Sequence, residues 1–266
     1  MSIILSNQAN NPIGLFDSGV GGTSIWKEVI QWLPNEKTIY LADSKNAPYG
    51  TKPKKKIIEL CRKNIELLLS LDCKLIIVAC NTATTNAIDL MRSEYNVPFV
   101  GIEPAIKPAS LASKTGRIGI LATQGTLDSK LFHATSQKWL KDIKIIKQKG
   151  TGIVDLIESG KLYSEEMTAL VKKYSQVFTK ENVDYLVLGC SHYPYLIPQL
   201  KRLLPAKVNI IDSGLAVAKQ TKKLLEENKL LRKDKDQVDH QFFTNTNSIV
   251  LIQLLGEDVK IKKRSF

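Results

Sequence analysis

The chain has 266 residues, 43% of them hydrophobic, which is enough for one large or two ordinary α/β domains with their own cores. No run of about 18 or more apolar residues occurs, and Met1 to Asn11 lacks the basic start and long apolar centre of an export signal, so a cytoplasmic protein without a membrane span is expected. Lys and Arg outnumber Asp and Glu by 38 to 26, a net charge of +12 that suits anionic ligands; with 7% aromatics and no nucleic-acid-reading motif, nucleic acid is not an expected partner.

Taken in chain order, Ile13 to Phe16 is a run apolar on both faces, as a buried parallel strand requires. It runs into DSGVGG (Asp17 to Gly22), whose amides can point at an anionic group. Neither the dinucleotide fingerprint nor the P-loop pattern is present there. The glycines can also serve a tight turn with positive φ, and Asp17 a helix cap. Thr38 to Ala42 reads as the next strand, with Asp43 to Gly50 as a loop. Lys54 to Leu71 places Ile57, Cys61, Ile65 and Leu68 on one helical face. Strands follow at Leu75 to Ala79, Phe99 to Ile102 and Ile118 to Ala122, a helix capped by Ser164 runs to Lys180, and further strands lie at Tyr185 to Leu188 and Val208 to Ile211. The basic stretches Lys52 to Lys56, Lys141 to Lys149 and Lys260 to Arg264 read as solvated faces. Strand and helix in alternation predict an α/β fold.

Two echoes divide the chain. IGLFDSG (Ile13 to Gly19) resembles IGILATQG (Ile118 to Gly125), and LIIVACNT (Leu75 to Thr82) resembles YLVLGCSH (Tyr185 to His192). Ile13 lies 67 residues before Cys80 and Ile118 lies 72 before Cys190, so the halves are in similar register. Two similar α/β units are implied, each presenting a cysteine where ligands bind in such sheets, beyond a strand's C-terminal end.

Cys61, Cys73, Cys80 and Cys190 show no paired short spacing and read as thiols. Cys61 and Cys73 suit packing. Cys80 and Cys190 each precede a polar turn, where a helix start is expected to lower a thiol's pKa toward neutrality. Facing halves would bring both to one ligand, and inversion of a stereocentre needs two groups of similar proton affinity on opposite sides of a carbon. Such a site must also place donors around a carboxylate to stabilise the carbanion. Asn81, Thr82, Ser191 and His192 are suitably placed, with Asp17 and His192 as proton partners of the two thiols. A metal held by Cys80, Cys190 and His192 is conceivable, but no metal-ligand spacing is present.

GLFDSGVGG at Gly14 to Gly22, ADSKNAPYG at Ala42 to Gly50, ACNTAT at Ala79 to Thr84 and LGCSHYP at Leu188 to Pro194 together resemble the glutamate racemases of the bacterial Asp/Glu racemase superfamily. The resemblance spans nearly the whole chain. It implies Cys80 and Cys190 as acid/base residues, with Asp17, His192 and Glu158 (in LIESG) assisting. It implies substrate contacts from Asp17, Ser18, Tyr49, Gly50, Asn81, Thr82, Ser191 and His192. Ser191 stands where the family usually has threonine, and His192 where the similar aspartate racemases generally carry an acidic residue, which favours glutamate as substrate. Also implied are two facing three-layer parallel-sheet domains, 1–103 with the returning 213–266 and 104–212, related by a pseudo-twofold with the active site between them. The family supplies D-glutamate for peptidoglycan, needs neither metal nor pyridoxal phosphate, and is mostly homodimeric.

Overall fold

A computed structural model describes residues 8–137, 143–234, 236 and 238–266. The first seven residues and the beginning of the 141–149 basic stretch lie outside them. The first half contains β1 (Ile13–Asp17), α1 (Thr23–Trp32), β2 (Thr38–Ala42), α2 (Lys54–Ser70), β3 (Leu75–Val78), α3 (Asn81–Glu94) and β4 (Phe99–Gly101). The next stretch contains α4 (Ile106–Ala112), β5 (Arg117–Ala122), α5 (Gln124–Leu127), α6 (Lys130–Gln137), β6 (Lys144–Lys149), α7 (Ile153–Glu158) and α8 (Glu165–Lys180). It continues through β7 (Tyr185–Gly189), α9 (Ile197–Leu203) and β8 (Asn209–Ile211). The chain ends with α10 (Gly214–Glu227), β9 (His240–Thr244), α11 (Ile249–Leu255) and β10 (Ile261–Lys263).

Two parallel sheets result, in the orders β10-β9-β2-β1-β3-β4 and β6-β5-β7-β8. The second repeats the β2-β1-β3-β4 order of the first. The echoed strands are neighbours in both: Ile13 pairs with Leu75 and Ile118 with Tyr185, the residues that open each echoed segment. Side-chain alternation then covers both faces. Leu15 and Phe16 enter different apolar clusters, as do Leu121 and Ile120, so each sheet is the middle of three layers. One cluster, containing Leu15 and Ile77 as well as Leu121 and Leu188, runs continuously from the first sheet to the second.

All seven expected strands form, with ends shifted by a residue or so. Three others were not anticipated. Strand β6 (KIIKQK) and strand β10 (IKK) fall within stretches read as solvated basic faces, and both are edge strands whose lysines reach solvent. Strand β9 (HQFFT) was not singled out; it lies against β2, where Phe242 packs on Trp26 with ring centroids 4.8 Å apart. Helix α8 starts as its sequence predicts: the Ser164 hydroxyl accepts from the Met167 amide. Helix α10 packs against α1, so the chain returns to the first sheet after β8.

Candidate active site

The C-terminal ends of β1, β3 and β7 bring the sequence-predicted residues together. Cys80 follows β3 and is the N-cap of α3: its Sγ accepts from the Ala83 amide at 3.4 Å. Cys190 follows β7 at the matching point of the other sheet. Both are buried, at 4% and 6% exposure, and close enough for the charge of Cys190 to act on Cys80. The expected lowering of the Cys80 pKa does not occur. Burial pushes it well above the usual thiol value and the Asp17 carboxylate adds to this, outweighing the Ala83 amide and a hydrogen bond from Ser18. Sequence position at a helix start gives only the smaller, opposing effect.

Asp17 is fully buried, and burial raises its pKa while the charge of His192 opposes the rise. Its Oδ2 accepts from the Gly22 amide at 2.8 Å, and the Ser191 hydroxyl lies 3.3 Å from both carboxylate oxygens. The N-cap of α1 is Gly22, so Asp17 holds the helix start without being its cap residue. Asp17 therefore touches Ser191 of the opposite sheet.

His192 bridges in the other direction. Its Nδ1 lies 3.7 Å from Cys190 Sγ, and its Nε2 lies 2.6 Å from Glu158 Oε1. Burial alone would lower its pKa, but the hydrogen bonds and charges of Cys190 and Glu158 prevail and raise it well above the ordinary imidazole value. Glu158 Oε1 also accepts from the Val20 amide at 2.7 Å, and Oε2 from the Ser44 hydroxyl at 2.8 Å. The DSGVGG amides do point at anions, but those anions are the carboxylates of Asp17 and Glu158.

The glycines of that loop are needed for close approach, since none has a positive φ. A Cβ at Gly19 would fall 1.9 Å from Glu158 Oε1, and one at Gly21 would fall 2.2 Å from His192 Nδ1. Bare backbone is the seat on which the second half rests its Glu158–His192 pair. Likewise a Cβ at Gly50 would meet Thr123 Cβ at 2.9 Å.

Asn81 is 1% exposed and its Oδ1 has no hydrogen-bond partner, whereas Nδ2 reaches the Ile102 carbonyl at 3.4 Å. The Thr82 hydroxyl lies 2.8 Å from that of Thr123 and 3.4 Å from that of Thr126. Thr123 and Thr126 were not anticipated. Thr123 occupies in IGILATQG the place Ser18 has in IGLFDSG, so the echo carried the signal. Tyr49 is buried with its hydroxyl donated to Asp43 Oδ2 at 2.5 Å, which leaves its main chain as what it offers a ligand. Asp43, expected as a turn residue, is a buried hub. Cys61 and Cys73 lie in the core, where burial raises both pKa values, that of Cys73 to about 12. Among the described residues no group of three or more His, Cys, Asp or Glu side chains is arranged to hold a metal ion.

The site can be compared with known proteins. A glutamate racemase of Ectopseudomonas mendocina is 41% identical over 259 residues, covering 96% of this chain and 98% of that protein. The crystal structure of Escherichia coli glutamate racemase in complex with L-glutamate and the activator UDP-MurNAc-ala is 30% identical, with a TM-score of 0.85, covering 96% of this chain and 98% of that one. The glutamate racemase of Francisella tularensis in complex with D-glutamate superposes with a TM-score of 0.83 at 29% identity, covering 97% and 98%. The family model of the Asp/Glu/Hydantoin racemases matches residues 13–221, the span that carries both cysteines and every side chain assembled around them, and the chain belongs to that family.

Proposed function

We propose that this protein interconverts L- and D-glutamate by two-thiol proton transfer at Cα, and so supplies D-glutamate for peptidoglycan. The observation that carries this reading is the equivalent placement of Cys80 and Cys190 at the ends of β3 and β7, both buried, with Cys190 close enough to act on Cys80. One thiolate takes the α-proton from its face, and the opposite thiol delivers a proton to the other. The substrate is glutamate because relatives over nearly the full chain are glutamate racemases.

Each thiol has its own proton partner. Asp17 serves Cys80, with its pKa raised by burial. His192 serves Cys190, held by Glu158. Asn81 Oδ1, buried and unpartnered, suits the substrate ammonium; the hydroxyls of Ser18, Thr82 and Ser191 and the main chain at Tyr49 and Gly50 suit its carboxylates. We take residues 1–103 with 213–266 as one domain and 104–212 as the other, with a cytoplasmic homodimer as the working form. No helix among the described residues is long and apolar enough to cross a membrane.

The test is incubation with L-glutamate in D₂O. D-glutamate carrying deuterium at Cα is expected, and Cys80→Ala and Cys190→Ala should each abolish it. Folded wild-type protein that neither exchanges nor inverts glutamate would overturn the reading; faster turnover of aspartate would overturn only the substrate.

A further inference from the structure

Asn245 lies far from every motif named above, yet it reaches the site. Strand β9 pairs with β2 in a register that sets Thr244 beside Ala42, so the next residues, Asn245 and Asp43, emerge side by side at the sheet's C-terminal edge. There Asn245 grips the loop at two points. Its Nδ2 donates to Asp43 Oδ1 at 2.5 Å, and its Oδ1 accepts from the Lys45 amide at 2.8 Å.

Ser44 lies between those two points. Its hydroxyl donates to Glu158 Oε2 at 2.8 Å, and the other oxygen of that carboxylate meets His192 Nε2 at 2.6 Å, with His192 Nδ1 3.7 Å from Cys190 Sγ. Polar contacts on either side of the 43–45 main chain thus join the end of β9 to the second thiol. Ser44 and Val20 together supply three-point support with His192 for a carboxylate that is otherwise attached only through its own flexible side chain. A carboxylate accepting from several fixed donors keeps one orientation, and so does the ring it holds.

We propose that Ser44 and Asn245 are positioning residues for the Cys190 half of the reaction: Asn245 fixes the 43–45 turn so that the Ser44 hydroxyl holds Glu158 in line with His192. This rests on the two-thiol reading above. Neither residue touches the reacting carbon, so both act through the carboxylate and the imidazole.

The experiment compares wild type with Ser44→Ala, Ser44→Thr and Asn245→Ala, using glutamate of each hand with hydrogen or deuterium at Cα. Ser44→Ala is expected to lower kcat about tenfold, the scale of one lost hydrogen bond to a charged group, with KM changed less than twofold or so. Ser44→Thr should restore it, because the hydroxyl returns. The deciding readout is the primary isotope effect. If proton transfer at Cys190 alone is slowed, the effect rises for the enantiomer whose α-proton Cys190 removes and falls for the other; general loosening would move both the same way. Asn245→Ala should reproduce the same opposed shifts at smaller size. Thermal melting identifies any variant that fails to fold; Ser44→Cys then replaces Ser44→Ala, and Asn245→Ser replaces Asn245→Ala. Equal isotope shifts for both hands, or an unchanged kcat in folded Ser44→Ala, overturns the proposal while active wild-type enzyme leaves the two-thiol reading standing. Inactive wild-type enzyme defeats both.

Discussion

Glu158 Oε1 lies 2.6 Å from His192 Nε2 in a pocket that leaves the ring 1% and the carboxylate 12% exposed. The hydrogen bonds and charges of Cys190 and Glu158 keep a proton on the ring that burial alone would expel. Glu158→Gln keeps the shape and removes the charge. It should lower the His192 pKa and reduce kcat by about 10²-fold, the usual scale of lost acid–base assistance.

The folded pKa of His192 lies above the unfolded value of about 6.5, so protonation stabilises the fold fully at lower pH, and that contribution fades as pH rises through the folded value. Glu158→Gln should draw the upper limit of that window downward. Ring-nitrogen NMR titration and melting curves against pH measure the two effects, and an unmoved His192 titration would contradict this account.

Gly19→Ala and Gly21→Ala should each disable the enzyme for a steric reason. The added methyls meet Glu158 at 1.9 Å and His192 at 2.2 Å, so the two halves must separate or the pair must rotate away. A cost of about 1–3 kcal/mol is expected from such overpacking. Gly256→Ala is the contrast: no atom lies within 4 Å of the new Cβ, but φ is +99°, so it should cost stability through backbone strain while leaving kcat alone. Urea unfolding with steady-state kinetics separates the two classes.

Native-state alkylation should also distinguish the thiols. Burial holds Cys61, Cys73 and Cys80 above the usual thiol pKa, so iodoacetamide at pH 8 should modify none of them at the rate of an open thiol. In urea all four cysteines should react. Mass mapping of the labelled peptides reads the outcome, and rapid labelling of Cys80 without ligand would mean its sulfur is more open than its 4% exposure implies.

Much of this architecture could be read from the sequence because parallel strands are apolar on both faces and the two halves repeat. The echo implied two similar units, and the structure adds that its strands are neighbours in both, β1 beside β3 and β5 beside β7. What escaped were edge strands such as β6, whose lysines face water and erase the apolar signal. In the site, the residue types were legible and their partners were not. Nothing local connects Ser44 with Glu158, 114 positions away, or Asn245 with Asp43, 202 away. The Cys80 pKa failed for a related reason: the helix start is local, whereas burial and Asp17 come from the whole fold.

A buried ion pair that ties together segments distant in sequence offers a last test. Lys74 Nζ lies 2.6 Å from Glu36 Oε2, both side chains are 1% exposed, and burial lowers the lysine's pKa against the pull of its partner. Glu36 Oε1 accepts from the Arg232 amide at 2.8 Å, and Lys74 Nζ donates to the Ala9 carbonyl at 2.5 Å, so the pair joins the segment before β1 to the one after α10. Lys74→Met leaves a carboxylate buried without its cation and should cost about 3–5 kcal/mol. Lys74→Met with Glu36→Gln removes both charges and keeps an acceptor for the Arg232 amide. The double variant should therefore be more stable than Lys74→Met alone, with a coupling of about 0.5–3 kcal/mol in a urea-unfolding cycle. Additive losses would show that the two charges do not depend on each other, and that the pair is held by its main-chain contacts instead.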